Sequence, residues 1–189
     1  LSTYIQGRYS GEIWGYETIG IAKTNEEMQQ HLNNLDQNYV NSHDGQAPAN
    51  PGQGQNQLGT LWAAGDIMYK DLDGDGVISS GANTLGDHGD LKLIGNNTPR
   101  WLFSLDLNAA YKGFDLRVYF QGVAKRDYWQ GSSYFWGIED NMWWSQGLHQ
   151  HADYFRNEDS WSVKNGLQDV NIDSYYPRPV FSGGGKNKQ

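Results

Sequence analysis

Trp101-Leu102-Phe103-Ser104-Leu105-Asp106-Leu107-Asn108-Ala109-Ala110-Tyr111-Lys112-Gly113-Phe114-Asp115-Leu116-Arg117-Val118-Tyr119-Phe120-Gln121 is the stretch on which the fold turns. Trp101, Phe103, Leu105, Leu107, Ala109 and Tyr111 recur at every second position. That is the period of a strand with one apolar face, because successive side chains point to opposite sides. Leu102, Ser104, Asp106, Asn108, Ala110 and Lys112 make the other, more polar face. After Lys112-Gly113, a two-residue link suited to a hairpin, Phe114, Leu116, Val118 and Phe120 continue the apolar face, and Asp115, Arg117, Tyr119 and Gln121 the polar one. Pairing Tyr111 with Phe114 sets Asn108 opposite Arg117 and Asp106 diagonal to it. Each strand is long enough for a tilted bilayer crossing, with Trp101 and Phe120 at one end of the apolar face and Tyr111 and Phe114 at the other. Two architectures answer to this pattern. One is a transmembrane barrel hairpin with lipid outside and water inside; the other is a half-buried hairpin of a soluble antiparallel sandwich.

Composition narrows the classes around this hairpin. The chain has 189 residues, enough for one medium domain or two small ones, and a net charge of −8. An acidic chain whose only terminal cations are the sparse Lys186 and Lys188 has no counterion-release footprint, so no nucleic acid is expected as a partner. With no cysteine, disulfides, thiolate zinc sites and thiol nucleophiles are excluded. No apolar run approaches the roughly 18 residues of a transmembrane helix, which says nothing against barrel strands.

Outside the hairpin, loose alternation between glycines predicts short strands around Glu12–Tyr16 and Thr18–Ala22. Thr24-Asn25-Glu26-Glu27 fits a capping box, followed by Met28, Leu32 and Leu35 at helical spacing, so one short helix is expected over about 24–35. From Asn38 to Thr60 hardly an apolar residue occurs, which predicts an exposed loop. The stretch from 122 to 189 is aromatic without a sustained period, as in an ordered functional loop.

The most specific chemistry lies in Asp71-Leu72-Asp73-Gly74-Asp75-Gly76-Val77-Ile78. Carboxylates stand first, third and fifth and glycine sixth, as in an EF-hand Ca²⁺ loop, with Val77 offering a carbonyl. Ala82 occupies the place of the usual twelfth-position glutamate, so Asp87 or Asp90 has to close the shell after an insertion. Three carboxylates within five residues repel one another unless a cation sits among them, which favours structural Ca²⁺ over a plain Asp/Gly turn. His149-Gln150-His151 lacks a third metal partner at any fixed spacing, and the expectation is surface polar residues. Glu139-Asp140 and Glu158-Asp159 give no handle on a carboxyl separation, so no enzyme activity is expected. Trp129, Tyr134, Trp136, Trp143, Trp144 and Trp161 could stack on sugar rings as a substrate-binding set, or pack loops together, or sit at a membrane interface.

Taken in order, Gly11-Glu12-Ile13-Trp14-Gly15-Tyr16, Gly65-Asp66-Ile67-Met68-Tyr69-Lys70-Asp71-Leu72-Asp73-Gly74-Asp75-Gly76, Ile94-Gly95-Asn96, Tyr111-Lys112-Gly113-Phe114-Asp115 and Phe120-Gln121-Gly122 resemble the C-terminal part of a SusC-like TonB-dependent outer-membrane transporter of the Bacteroidota. The resemblance implies an all-β fold: a fragment of a large transmembrane antiparallel β-barrel with long extracellular loops and one short helix. It implies import of oligosaccharides or peptides delivered by a SusD-like lipoprotein and powered through TonB, with membrane lipid around the barrel. Residues 1–100 then form an extracellular loop region holding the helix and an Asp-rich Ca²⁺ loop at 71–90. Residues 101–121 form the transmembrane hairpin, and 122–189 an aromatic-rich extracellular loop. On the same resemblance Asp90 closes the metal shell of Asp71, Asp73, Asp75 and Val77, while Asp106, Asn108 and Arg117 face a wet lumen. The competing expectation is a secreted, Ca²⁺-stabilised carbohydrate-binding β-sandwich.

Overall fold

A computed structural model of the chain describes residues 7–131, 133–136, 147–180 and 184–187. Strands β1 (Glu12–Tyr16), β2 (Thr18–Ile21), β3 (Ile67–Tyr69), β4 (Leu91–Asn96), β5 (Trp101–Tyr111) and β6 (Phe114–Ala124) pair as β1 with β4, β2 with β3 and β5 with β6. One long helix, α1 (Asn25–Ser42), and the single-turn helices α2 (Ser133–Trp136) and α3 (Trp161–Lys164) accompany them. The fold is β-rich, and no closed barrel exists among the described residues. The chain divides into two compact units, one from Leu1–Trp14 with Leu93–Trp129, the other from Gly15–Lys92 with Gln130–Gln189.

In the first unit the β5–β6 hairpin has the register that alternation predicts. Tyr111 pairs Phe114, Asn108 pairs Arg117 and Leu105 pairs Phe120. The turn residues Lys112 and Gly113 have φ of +48° and +84°, the paired left-handed conformations of a type I′ hairpin turn. Every row therefore sorts by face, with Leu107 and Val118, then Ala109 and Leu116, on one side, and Asn108 and Arg117 on the other. The strand runs three residues beyond Gln121, to Ala124, which corrects the placement of Phe120. Trp101 lies opposite Ala124 and Phe103 opposite Gly122, so Phe103 rather than Phe120 shares that end with Trp101. A Cβ on Gly122 would lie 2.2 Å from the Phe103 ring, so the aromatic lies over the glycine and covers it. The apolar face stays uncovered: Leu105 and Leu107 are each 50% exposed and Phe114 81%.

The second unit holds the core. Met28, Leu32 and Leu35 of α1 pack with Ala22, Met68, Tyr69 and Ile78, bordered by Tyr16, Leu58, Trp62 and Ile67. Thr24 caps α1 by accepting from Glu27 N–H at 3.1 Å, and the Glu27 carboxylate accepts from Lys23 N–H at 2.6 Å. The helix continues past the expected end at 35 to Ser42, because Leu35 and Tyr39 pack against the acidic loop. A Cβ on Gly76 would lie 2.4 Å from Tyr39 N and 2.5 Å from Leu35 O.

The stretch from 38 to 60 is accordingly not one exposed loop. Gln55 is fully buried and accepts from Tyr69 N–H at 2.6 Å, and its carbonyl also takes His31 Nε2 at 2.9 Å. His31 therefore carries its proton on Nε2, and burial holds it below the ordinary histidine value, partly offset by Gln55.

Candidate functional site

The acidic loop is built between β3 and β4 on a scaffold that α1 supplies. Ile78 anchors it: the side chain is fully buried in the core and its N–H donates to Gly54 O at 2.7 Å. Asp71 then turns the chain. Its Oδ1 accepts from Gly74 N–H at 2.6 Å and its Oδ2 from Gly76 N–H at 3.0 Å. Gly76 has φ +83° and lies flat on α1, two reasons for a residue without a side chain. From α1, Asn38 Nδ2 donates to Asp71 Oδ2 at 2.9 Å, and Ser42 Oγ donates to Asp75 O at 3.2 Å.

Asp90 returns from the end of the insertion. It is fully buried, and its two carboxylate oxygens accept from Leu72 N–H at 2.6 Å and Ser79 N–H at 2.8 Å. One carboxylate oxygen from each of Asp71, Asp73 and Asp90 lies within 4.8 Å of the other two. Oxygens bound to one Ca²⁺ at about 2.4 Å are separated by at most about 4.8 Å, so the spread fits a single ion. The donors are all hard oxygens, the set that suits Ca²⁺ or Mg²⁺ rather than a softer metal. Burial first, and then the charges of Asp73 and Asp71, push the Asp90 carboxyl up to about 6 against the pull of its two N–H donors. Burial raises Asp75 as well, with Asp73 and Asp71 adding to it and Val77 N–H opposing. A divalent cation would relieve that repulsion.

Of the five residues expected around the metal, Asp71, Asp73 and Asp90 converge. Asp75 is not among those three carboxylates; its Oδ1 accepts from Val77 N–H at 2.7 Å, an Asx turn alongside them. Asp87, the other candidate from spacing, is likewise outside the three and accepts through its backbone carbonyl from Thr84 N–H at 2.9 Å.

On the hairpin, Asp106 accepts from both Nε and Nη2 of Arg117, and Asn108 Nδ2 donates to Asp106 Oδ1 at 3.2 Å. The three polar residues thus form one exposed cluster on the polar face. Among the aromatics, Trp161 is 72% and Trp129 44% exposed, while Trp136 is half-buried and donates through Nε1 to Gln130 O at 2.8 Å. Tyr134 lies on α2, with its side chain outside the described residues. Trp143, Trp144, Glu139 and Asp140 also lie outside them.

His151 departs from the surface placement expected for it. It is buried, its Nδ1 accepts from Leu148 N–H at 2.9 Å, and its Nε2 lies 3.1 Å from Phe135 O. Both ring nitrogens are thereby engaged in packing a turn.

Sequence reading missed Asn38, whose contact with the loop depends on α1 running past 35, and the polar centre around Asp66 and Lys186. The only signal for the latter was Asp66 itself, a carboxylate in an otherwise apolar stretch. Comparison of the chain with family models, curated proteins and solved structures gives no match.

Proposed function

We propose that the chain is a segment of a SusC-like TonB-dependent importer of the bacterial outer membrane. In this function oligosaccharides reach the barrel from a SusD-like surface lipoprotein, TonB supplies the energy, and no covalent chemistry is performed. The observation that carries the proposal is the β5–β6 hairpin: two eleven-residue strands in unbroken register, sorted by face, with the apolar face exposed. Eleven residues span about 36 Å at the usual rise, about 25 Å when tilted by 45°, the height of the apolar band of an outer-membrane barrel. Lipid would lie on the face of Trp101, Phe103, Leu105, Leu116 and Val118. The Asp106, Asn108 and Arg117 cluster would line a wet lumen, where so exposed an ion pair adds little stability and mainly positions polar groups for passing hydroxyls.

Ca²⁺, held by Asp71, Asp73 and Asp90, would stiffen the acidic loop by neutralising its three carboxylates and tying β3 to the start of β4. Its role is structural. Trp161 and Trp129, each exposed, together with Tyr134, Trp136, Trp143 and Trp144, are the residues proposed to meet sugar rings.

The second unit has a core of its own, the one observation favouring a secreted carbohydrate-binding module. Detergent dependence separates the two. The complete polypeptide that carries this chain is expected to need detergent, to change gel mobility on boiling as closed barrels do, and to co-purify with a lipoprotein. A detergent-independent species of 21.3 kDa with unchanged mobility would instead establish the soluble module.

A further inference from the structure

Asp66 is fully buried and receives five donors. Its Oδ1 accepts from Arg178 Nε at 2.9 Å and Asn187 Nδ2 at 3.0 Å. Its Oδ2 accepts from Arg178 Nη2 at 2.7 Å, Lys186 Nζ at 2.8 Å and Ala63 N–H at 3.0 Å. Burial pushes Asp66 up, but Arg178, Lys186 and Asn187 together outweigh it and keep the carboxylate charged. The Lys186 side chain is 1% exposed. Beyond Asp66, its ammonium reaches Thr60 O at 3.0 Å and Leu61 O at 3.1 Å, and it lies 4.6 Å from the centroid of the Trp62 ring. An ammonium has three donors, and here all three meet acceptors while an aromatic face covers the charge.

The wall around this ammonium is shaped for it. Leu61 has φ +59° and a side chain that is 85% exposed. The left-handed region is unfavourable for a leucine, and here the side chain buries almost nothing in return. What the conformation achieves is a carbonyl turned inward, shared by Lys186 Nζ and by Arg178 Nη2 at 2.9 Å. Gly59 leaves room for the lysine stem, since a Cβ there would lie 2.6 Å from Lys186 Cβ. The segment is also read beyond its ammonium: Tyr69 Oη donates to Lys186 O, and Ile67 N–H donates to Asn187 Oδ1 at 3.0 Å. Backbone, lysine and asparagine of the segment are each bonded to the wall. Without Lys186 and Asn187, Asp66 would keep Arg178 and Ala63 N–H as partners. In the described residues the segment forms a single helical turn, Gly184–Asn187.

We propose that the wall from Gly59 to Tyr69 is a recognition site for a Lys-Asn peptide segment, which the chain fills with its own Lys186 and Asn187 and which accepts the same segment supplied in trans. The full chain carrying Lys186→Ala and Asn187→Ala is titrated calorimetrically with the peptide acetyl-Gly-Gly-Lys-Asn-Lys-Gln-amide, and with the same peptide carrying methionine for its first lysine. One-to-one binding of the lysine peptide, at least tenfold tighter than the methionine peptide, is expected. Absence of binding to a variant with a wild-type-like melting transition overturns the proposal, as does equal binding of both peptides. If the double variant does not fold, the wild-type chain decides: acetylation of Lys186 by an amine-reactive reagent is followed by mass spectrometry against exposed Lys112. Excess lysine peptide should raise the Lys186 rate at least threefold through exchange. A rate unchanged by the peptide shows a permanent part of the core and overturns the proposal.

Discussion

Gly76 and Asn38 are the residues on which the acidic loop depends most visibly. Gly76 combines φ +83° with a backbone contact that leaves 2.4 Å between a would-be Cβ and Tyr39 N. Gly76→Ala should therefore cost about 2–4 kcal/mol in urea unfolding; a loss below about 0.5 kcal/mol would mean that helix and loop do not meet there. Asn38 holds the Asp71 carboxylate from outside the loop. Outer-shell partners of this kind commonly change metal affinity 10–100-fold, so Asn38→Ala should weaken Ca²⁺ binding about tenfold by calorimetry while leaving the helical signal intact.

His31 gives the pH prediction. Its folded-state value is lowered by burial, so the unfolded chain takes up a proton more readily. Stability is then fully present above the unfolded value and is lost as pH falls through it. Melting followed from pH 7.5 to pH 5 should show a decline that is smaller in His31→Leu. Both proteins carry Asp90, so their difference isolates the histidine. The aspartates of the loop and the glycine that turns it were legible in the sequence, since their spacing is local. Buried Gln55, His31 and Lys186 were not, because these polar residues become internal through partners 14 to 126 residues away.

Among the elements, the hairpin was the most legible, down to the Asn108–Arg117 pair, because a period of two fixes which residues share a face and the Lys112-Gly113 turn fixes the register. Its far end was misjudged by the three residues after Gln121, where Gly122 interrupts the apolar alternation and only the overlying Phe103 compensates. Helix α1 shows the opposite case. Its first half announces itself through Thr24, Met28, Leu32 and Leu35, whereas Asn38, Asn41 and Ser42 read as loop until packing against Gly76 extends the helix. The hairpin faces make a reciprocal prediction for the complete polypeptide in the membrane. Asp106→Leu should insert normally and disturb the lumen, whereas Leu105→Asp should lose insertion, each scored by heat-modifiable mobility. The reverse outcome would exchange the two faces. For the acidic loop, saturating the chain with Ca²⁺ at a hundred times its Kd should add about 2.7 kcal/mol of stability, and Asp73→Asn should remove most of that gain. No shift in melting with Ca²⁺ would reduce the loop to an Asp/Gly turn.

For the whole molecule, two units with different needs coexist in one chain. The second has a packed core and buried polar networks; the first exposes a broad apolar face, and patches of that size mark a surface meant for something other than water. A β-rich fold could be expected from alternation and glycine spacing, but which medium touches the apolar face is a property of surroundings that neither alternation nor register encodes. These 189 residues contain no cysteine, so a single one placed in the hairpin is the only thiol within them and lets that medium be read directly. Single cysteines placed one at a time at positions 103 to 108 and 114 to 121 of the complete polypeptide, in its native membrane, would carry a fluorophore exposed to quenching by lipid-borne nitroxides. The barrel account predicts strong quenching at 103, 105 and 107 and at 114, 116, 118 and 120, with little at the residues between. Uniform quenching, or none at any position, would contradict it.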